Sequence, residues 1–143
     1  MTNDLPRVRQ NYLAILIAAI AHFLLEAGWY SYFQQPWLVG TGRTREWLMS
    51  PSANNPALQY GVALIAAAFT AAAISCVTQL TGSQSAIGGL KAGALLWCGF
   101  VFPTWATEYV FEVRPLSLLG INTGVWLVGM VMMGAIVGAW KKK

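Results

Sequence analysis

Four apolar runs, each close to 20 residues long, take up most of this chain: Leu13–Tyr32, Leu58–Leu80, Ala92–Val110 and Ser117–Trp140. A helix rises about 1.5 Å per residue, so roughly 20 residues cross the ~30 Å hydrocarbon layer of a bilayer. Backbone polar groups at that depth have no water to bond, which leaves the α-helix as the form such a run takes. Each run is bounded by residues that interrupt helices. Gln34-Gln35-Pro36 ends the first, Asn54-Asn55-Pro56 precedes the second, Thr81-Gly82-Ser83 follows it, and Arg114-Pro115 precedes the fourth. The expected fold is all-α: one transmembrane domain over residues 1–143, an integral membrane four-helix bundle with an outer loop at 34–57.

Composition points the same way. Apolar residues make up 57% of the chain and charged residues 10%, where a soluble domain is about a quarter charged. Nine basic and five acidic side chains cannot coat a soluble globule of this size. An ordinary cytosolic enzyme, a disordered tail and a disulfide-stapled module are therefore excluded. Arg7 and Arg9 before the first run suggest a signal peptide, but that run carries His22 and Glu26 and ends in bulky Trp29-Tyr30. It reads as a retained helix. Cys76 and Cys98 lie inside apolar runs and are expected to be buried free thiols.

An even number of spans puts both termini on one side. That side holds Arg7, Arg9, Lys91, Lys141, Lys142 and Lys143, and the other holds Arg43, Arg45 and Arg114. The positive-inside rule then predicts cytoplasmic termini, in an inner (cytoplasmic) membrane. The basic residues are split between the ends of spans and form no single patch, so nucleic acid is not an expected partner. Trp29, Tyr30, Tyr32, Trp37, Trp47, Tyr60 and Tyr109 gather toward the outer side as an aromatic belt. In the outer loop, Arg43–Met49 reads as a short interfacial helix, and the loop either rests on the headgroups or covers a cavity.

Polar residues inside spans are costly and mark functional candidates. His22 and Glu26 stand at i and i+4, on one face of the first helix, in a stripe that includes Trp29. His22 falls at the midplane and Glu26 about 5 Å outward. On the third helix Gly93, Trp97, Phe100, Thr104, Thr107, Glu108 and Phe111 share a face, with Pro103 kinking it just before Thr104. Thr104, Glu108 and, on the fourth helix, Asn122 then lie in the same outer half of the membrane as Glu26. Three arrangements fit: an interhelical hydrogen-bond clamp, a ligand or proton site in an outward-opening cavity, or a metal site on His22 and Glu26. With one histidine in the chain, a metal would need carboxylates or water for its remaining ligands. No cofactor motif and no nucleophile elbow, phosphate loop, CxxC or HExxH pattern occurs, so the chain is not expected to be an enzyme.

Glycines pattern the fourth run. Gly120, Gly124, Gly134 and Gly138 fall within about 40° of one line at 100° per residue. Such a stripe lets a second backbone approach closely, within the bundle or across a homodimer. Ala63, Ala67 and Ala71 give the second run another smooth face.

Several stretches resemble a bacterial membrane family catalogued as domain of unknown function 1761. They are Gly28-Trp29-Tyr30-Ser31 with Pro36-Trp37, then Phe111-Glu112, Arg114-Pro115-Leu116, Ile121-Asn122-Thr123-Gly124 and the closing Met133–Trp140. The resemblance spans nearly the whole chain and implies a four-helix bundle of this length with no assigned activity. The chain departs from the pattern at Val113, where a glycine is expected between the Phe-Glu pair and the arginine, and in its longer polar outer loop. The functional expectation is noncatalytic: binding, or moving, a small hydrophobic or weakly cationic ligand near Glu26, with membrane lipids as surroundings. The alternative is an accessory or structural subunit of a membrane complex.

Overall fold

The computed structural model describes residues 7–50 and 55–141 and is helical throughout its core. Asn54, Lys142 and Lys143 lie outside the described residues. Four helical stretches are long and apolar enough to cross a membrane, which fits an integral membrane protein. They are α1 (Tyr12–Tyr32), α4 (Pro56–Leu80), the composite third span (Ala86–Phe111) and α7 (Leu116–Ala139). Two short helices, α2 (Gln34–Thr41) and α3 (Arg45–Met49), fill the first connection. The segment expected to be a loop is therefore helical over residues 34–41 as well.

Local chemistry sets the helix starts. Asn11 accepts a hydrogen bond from the Ala14 amide at 3.2 Å and Asn55 one from the Leu58 amide at 3.2 Å. Ser85 accepts one from the Gly88 amide at 3.0 Å. Each side-chain oxygen satisfies an amide that the first helical turn leaves open. The Ser85 cap explains why the third span begins at Ala86, not at Ala92.

Three helix ends share one device. Arg43 N–H donates to Leu38 O, Ser83 N–H to Thr78 O and Arg114 N–H to Tyr109 O, each across six residues. Such Schellman ends need a left-handed residue just past the helix. Gly42 and Gly82 supply it at φ 65°, and Val113 does so at φ 54°. The glycine expected at position 113 thus corresponds to a real backbone demand that valine meets under strain.

The third span contains the largest departure from expectation. It runs as α5 (Ala86–Leu96), a π-helical segment (Trp97–Val101) and α6 (Phe102–Phe111). Pro103 has no N–H to give the Gly99 carbonyl, and its ring would press on that carbonyl in a regular helix. The wider π turn ahead of it absorbs the conflict. One extra residue in that turn shifts every later side chain by one position. The face through Gly93 and Trp97 therefore continues into Trp105 and Tyr109 and not into Thr104 and Glu108.

At the centre of the bundle is α7, which packs against α1, α4, α5 and α2. It buries 44% of its membrane window, against 17–28% for the other spans. Small residues bring the helices close: Ala14, Ala18 and Ala19 of α1 and Ala67 and Ala71 of α4 are buried in one core with Ile74, Met130, Met133 and Val137. Between α5 and α7 the backbones themselves touch. A Cβ on Gly134 would overlap the Gly89 carbonyl, one on Gly93 the Met130 carbonyl, and one on Gly138 the Ser85 carbonyl.

The expected glycine stripe therefore divides. Gly134 and Gly138 receive α5, and Gly124 receives the Trp29 ring, whose Cζ2 would lie 3.1 Å from an added Cβ. Gly120 is exposed and faces open space. Cys76 is half-buried, and Cys98, expected inside, is exposed on the π segment.

Candidate functional site

Polar groups at membrane depth form two clusters with opposite character. The outer one is fully satisfied. Tyr30 of α1 donates its hydroxyl to Asn122 Oδ1 at 3.1 Å, and Asn122 Nδ2 donates to the Tyr109 hydroxyl oxygen at 2.6 Å. Asn122 and Tyr109 are both buried. Around them the indoles of Trp29 and Trp97 donate to the α7 carbonyls of Ile121 at 3.0 Å and Thr123 at 2.8 Å. Two spans, α1 and the third, are thus tied to α7 by hydrogen bonds whose donors have no water to turn to.

Above this cluster α2 folds back over the bundle. Leu38 and Leu118 are buried, Trp37 packs beside Tyr109, and Gly40 rests on Leu118. Arg114 stacks over the Tyr109 ring at 5.4 Å and pairs with Glu112. Arg43 stacks over Trp47 at 4.0 Å. The first connection therefore covers the outer end. Of the expected aromatic belt, Tyr30 and Tyr109 turn inward as hydrogen-bonding groups, as does Trp29, also expected on the His22–Glu26 stripe.

The inner cluster is His22 and Glu26. His22 stands at the middle of α1, fully buried, with neither ring nitrogen in hydrogen-bonding contact with the protein. Its Nε2 lies 3.5 Å from Glu26 Oε1, close enough for an ion pair with the imidazolium but outside hydrogen-bonding geometry. The Glu26 side chain keeps 17% of its surface exposed. Trp126 of α7 packs on the imidazole with ring centroids 4.6 Å apart. Gly129 provides the notch that holds the ring: a Cβ there would overlap Nδ1 and Cε1. Among the described residues no three His, Cys, Asp or Glu side chains converge as a metal site would need.

Of the expected site residues, the structure brings His22 to Glu26 and places Trp29 and Asn122 together at the outer cluster. Thr104 and Glu108 do not join either cluster. Both are exposed on the outside of α6, because the π segment has turned the face they were expected to share. Tyr109, Tyr30 and Gly129 are the participants that a uniform helical wheel misses. One cavity of about 220 Å³ lies between α4, the π segment and α7, lined by apolar residues that include Phe100, Trp126 and Met130. A second of about 180 Å³ lies at the end of the bundle that holds both termini.

A family model described as Protein of unknown function (DUF1761) matches residues 13–138. The chain belongs to that family. The match covers all four spans and both polar clusters. No curated protein and no solved structure matches the chain. The DUF1761 match carries no activity with it, so the chemistry of the two clusters has to speak for itself.

Proposed function

We propose that this membrane protein binds, without catalysis, a small hydrophobic or weakly cationic ligand at membrane depth beside His22 and Glu26. One observation carries the reading: a completely buried imidazole with two unpartnered nitrogens, next to a carboxylate that is still partly accessible. An unsatisfied buried polar group costs about 1–3 kcal/mol, and a purely structural clamp would be expected to satisfy it. A ligand amine would give Glu26, the accessible member of the pair, a counter-charge. The apolar cavity shares Trp126 with the His22 packing site, so an apolar ligand body has a place within reach of the pair. The cations at the end holding both termini support cytoplasmic termini, which in a bacterium places the protein in the inner membrane.

The test is native mass spectrometry of the detergent-purified protein beside a matched Glu26→Gln sample. Ligand binding predicts a retained small molecule or lipid on the wild type that is lost from the variant, with the melting temperature nearly unchanged. A bare mass in both samples refutes it. A second reading, an accessory or structural subunit, draws on the satisfied Tyr30–Asn122–Tyr109 network. It predicts instead that Glu26→Ala lowers the melting temperature and that no added ligand moves it.

A further inference from the structure

At the end of the bundle that holds both termini, cations gather around one cavity. Arg9 N–H donates to Gln79 Oε1 at 2.8 Å, Asn11 Nδ2 to the Trp140 carbonyl at 3.4 Å, and Gln84 Nε2 to the Val137 and Gly138 carbonyls at 2.9 Å each. These bonds close the start of α1 onto the ends of α4 and α7. They leave a cavity of about 180 Å³ whose lining includes Arg7, Arg9 and Lys141, with Ser75 and Gln79 as polar walls and Trp140 at the edge.

Three cations meet here with no carboxylate in the lining. Among the described residues the ion pairs are His22–Glu26 and Glu112–Arg114, so none includes these three cations. The described acids are all elsewhere: Glu26 within α1, Glu46 on α3, and Glu108 and Glu112 at the outer end. The outer cations Arg43, Arg45 and Arg114 have those outer acids as neighbours in sequence; Asp4, three residues before Arg7, lies outside the described residues. Three like charges around one cavity repel, and an anion in the cavity relieves that repulsion.

The donor set selects the kind of anion. Two guanidiniums offer planar forks that match the oxygens of a phosphate, and a lysine adds a point charge. Buried Ser75 already accepts a hydrogen bond from Gln79 Nε2 at 3.1 Å, so its hydroxyl proton is free to be donated. Trp140, 43% exposed, is the residue type that settles at headgroup level, and the cavity lies where the spans end. A lipid phosphate would be presented at that level, and free phosphate could reach it from water.

We propose that this cavity binds a phosphate-bearing anion. The site is independent of the His22–Glu26 reading and fails or stands apart from it. Full-length protein in neutral detergent is titrated with dioleoylphosphatidylglycerol and, separately, dioleoylphosphatidylcholine, and bound lipid is counted by native mass spectrometry. In parallel, melting temperature is followed in inorganic phosphate and in chloride of matched ionic strength. The lipid source predicts at least about a tenfold preference for the phosphatidylglycerol, since each tenfold step corresponds to about 1.4 kcal/mol. The soluble source predicts a melting temperature raised by phosphate beyond chloride. Either effect should fall to within about twofold of the control in an R9Q/K141Q variant, return in R9K/K141R, and persist in E26Q. If the double variant does not fold, R7Q, altered at an exposed position before α1, takes its place with the same expectation of weakened binding. No preference in either arm, or a preference that the variants leave intact, overturns the proposal.

Discussion

Replacing Val113 by glycine should stabilise this protein, although it removes side-chain atoms and adds no contact. Val113 sits just past α6 at φ 54°, where Gly42 and Gly82 occupy the equivalent positions after α2 and α4 at φ 65°. An L-residue held in the left-handed region costs about 1–2 kcal/mol, and β-branching makes it a clear outlier. Glycine removes that cost but loses more chain entropy on folding, about 0.5–1 kcal/mol. Val113 is 89% exposed, so its side chain contributes almost no burial to subtract. The net expectation for Val113→Gly is a gain of about 0.5–1 kcal/mol. Equilibrium unfolding in mixed detergent micelles, with α-helical circular dichroism as readout, measures it against the wild type. Val113→Ala is the control: it trims the side chain and keeps the backbone penalty of a Cβ, so its gain must be the smaller. A glycine variant no more stable than the wild type, or an alanine variant equal to it, would refute the strain argument.

The other predictions concern packing and helix phase. Gly134→Ala should lose about 1–3 kcal/mol, because the new Cβ meets the Gly89 carbonyl and the two helices must part. Gly120→Ala meets nothing and should be neutral or gain up to about 1 kcal/mol from helix propensity; a larger loss at Gly120 than at Gly134 would reveal a second chain on that face. Tyr109→Phe removes the acceptor of the Asn122 bond and should cost about 1 kcal/mol. Thr104→Val and Glu108→Gln, both exposed, should stay within about 0.5 kcal/mol of the wild type. The same unfolding assay reads all five variants, and a Thr104 or Glu108 effect larger than that of Tyr109 would mean the third span is not re-phased.

Hydropathy made the four spans legible because the requirement is coarse: enough apolar residues in a row, bounded by caps and breakers. The site needed helix rotation, which is finer. On the third span a uniform 100° step placed Thr104 and Glu108 inward, and a single wide turn at Trp97–Val101 was enough to put Trp105 and Tyr109 there instead. The signal was present in Pro103, whose missing N–H falls opposite Gly99, but a kink and a π turn are both answers to it. Gly129 was hidden for a related reason. It lies about 180° from the Gly120–Gly138 line, and one-stripe reasoning assumes that a helix has one packed face. As the central helix, α7 is packed on several sides, so its second glycine face holds His22 while the first holds α5.

The contrast between the two polar clusters bears on which functional reading deserves the first experiment. At the outer end the sequence provides a matched set: Asn122 for two tyrosine hydroxyls, and α7 carbonyls for two indoles. A chain able to assemble that set has the means to satisfy a polar side chain wherever stability alone is at stake. At the midplane it instead seats an imidazole in a glycine notch against Trp126, leaves both nitrogens unpartnered, and sets Glu26 3.5 Å away with part of its surface open. Removing the histidine would relieve the unsatisfied nitrogens, and an apolar side chain of similar size would fill the notch as well. The arrangement is therefore a poor way to hold α1 on α7 and a good way to keep a partly open carboxylate beside a buried imidazole at membrane depth. That asymmetry is why a ligand beside Glu26 is placed ahead of a purely structural clamp.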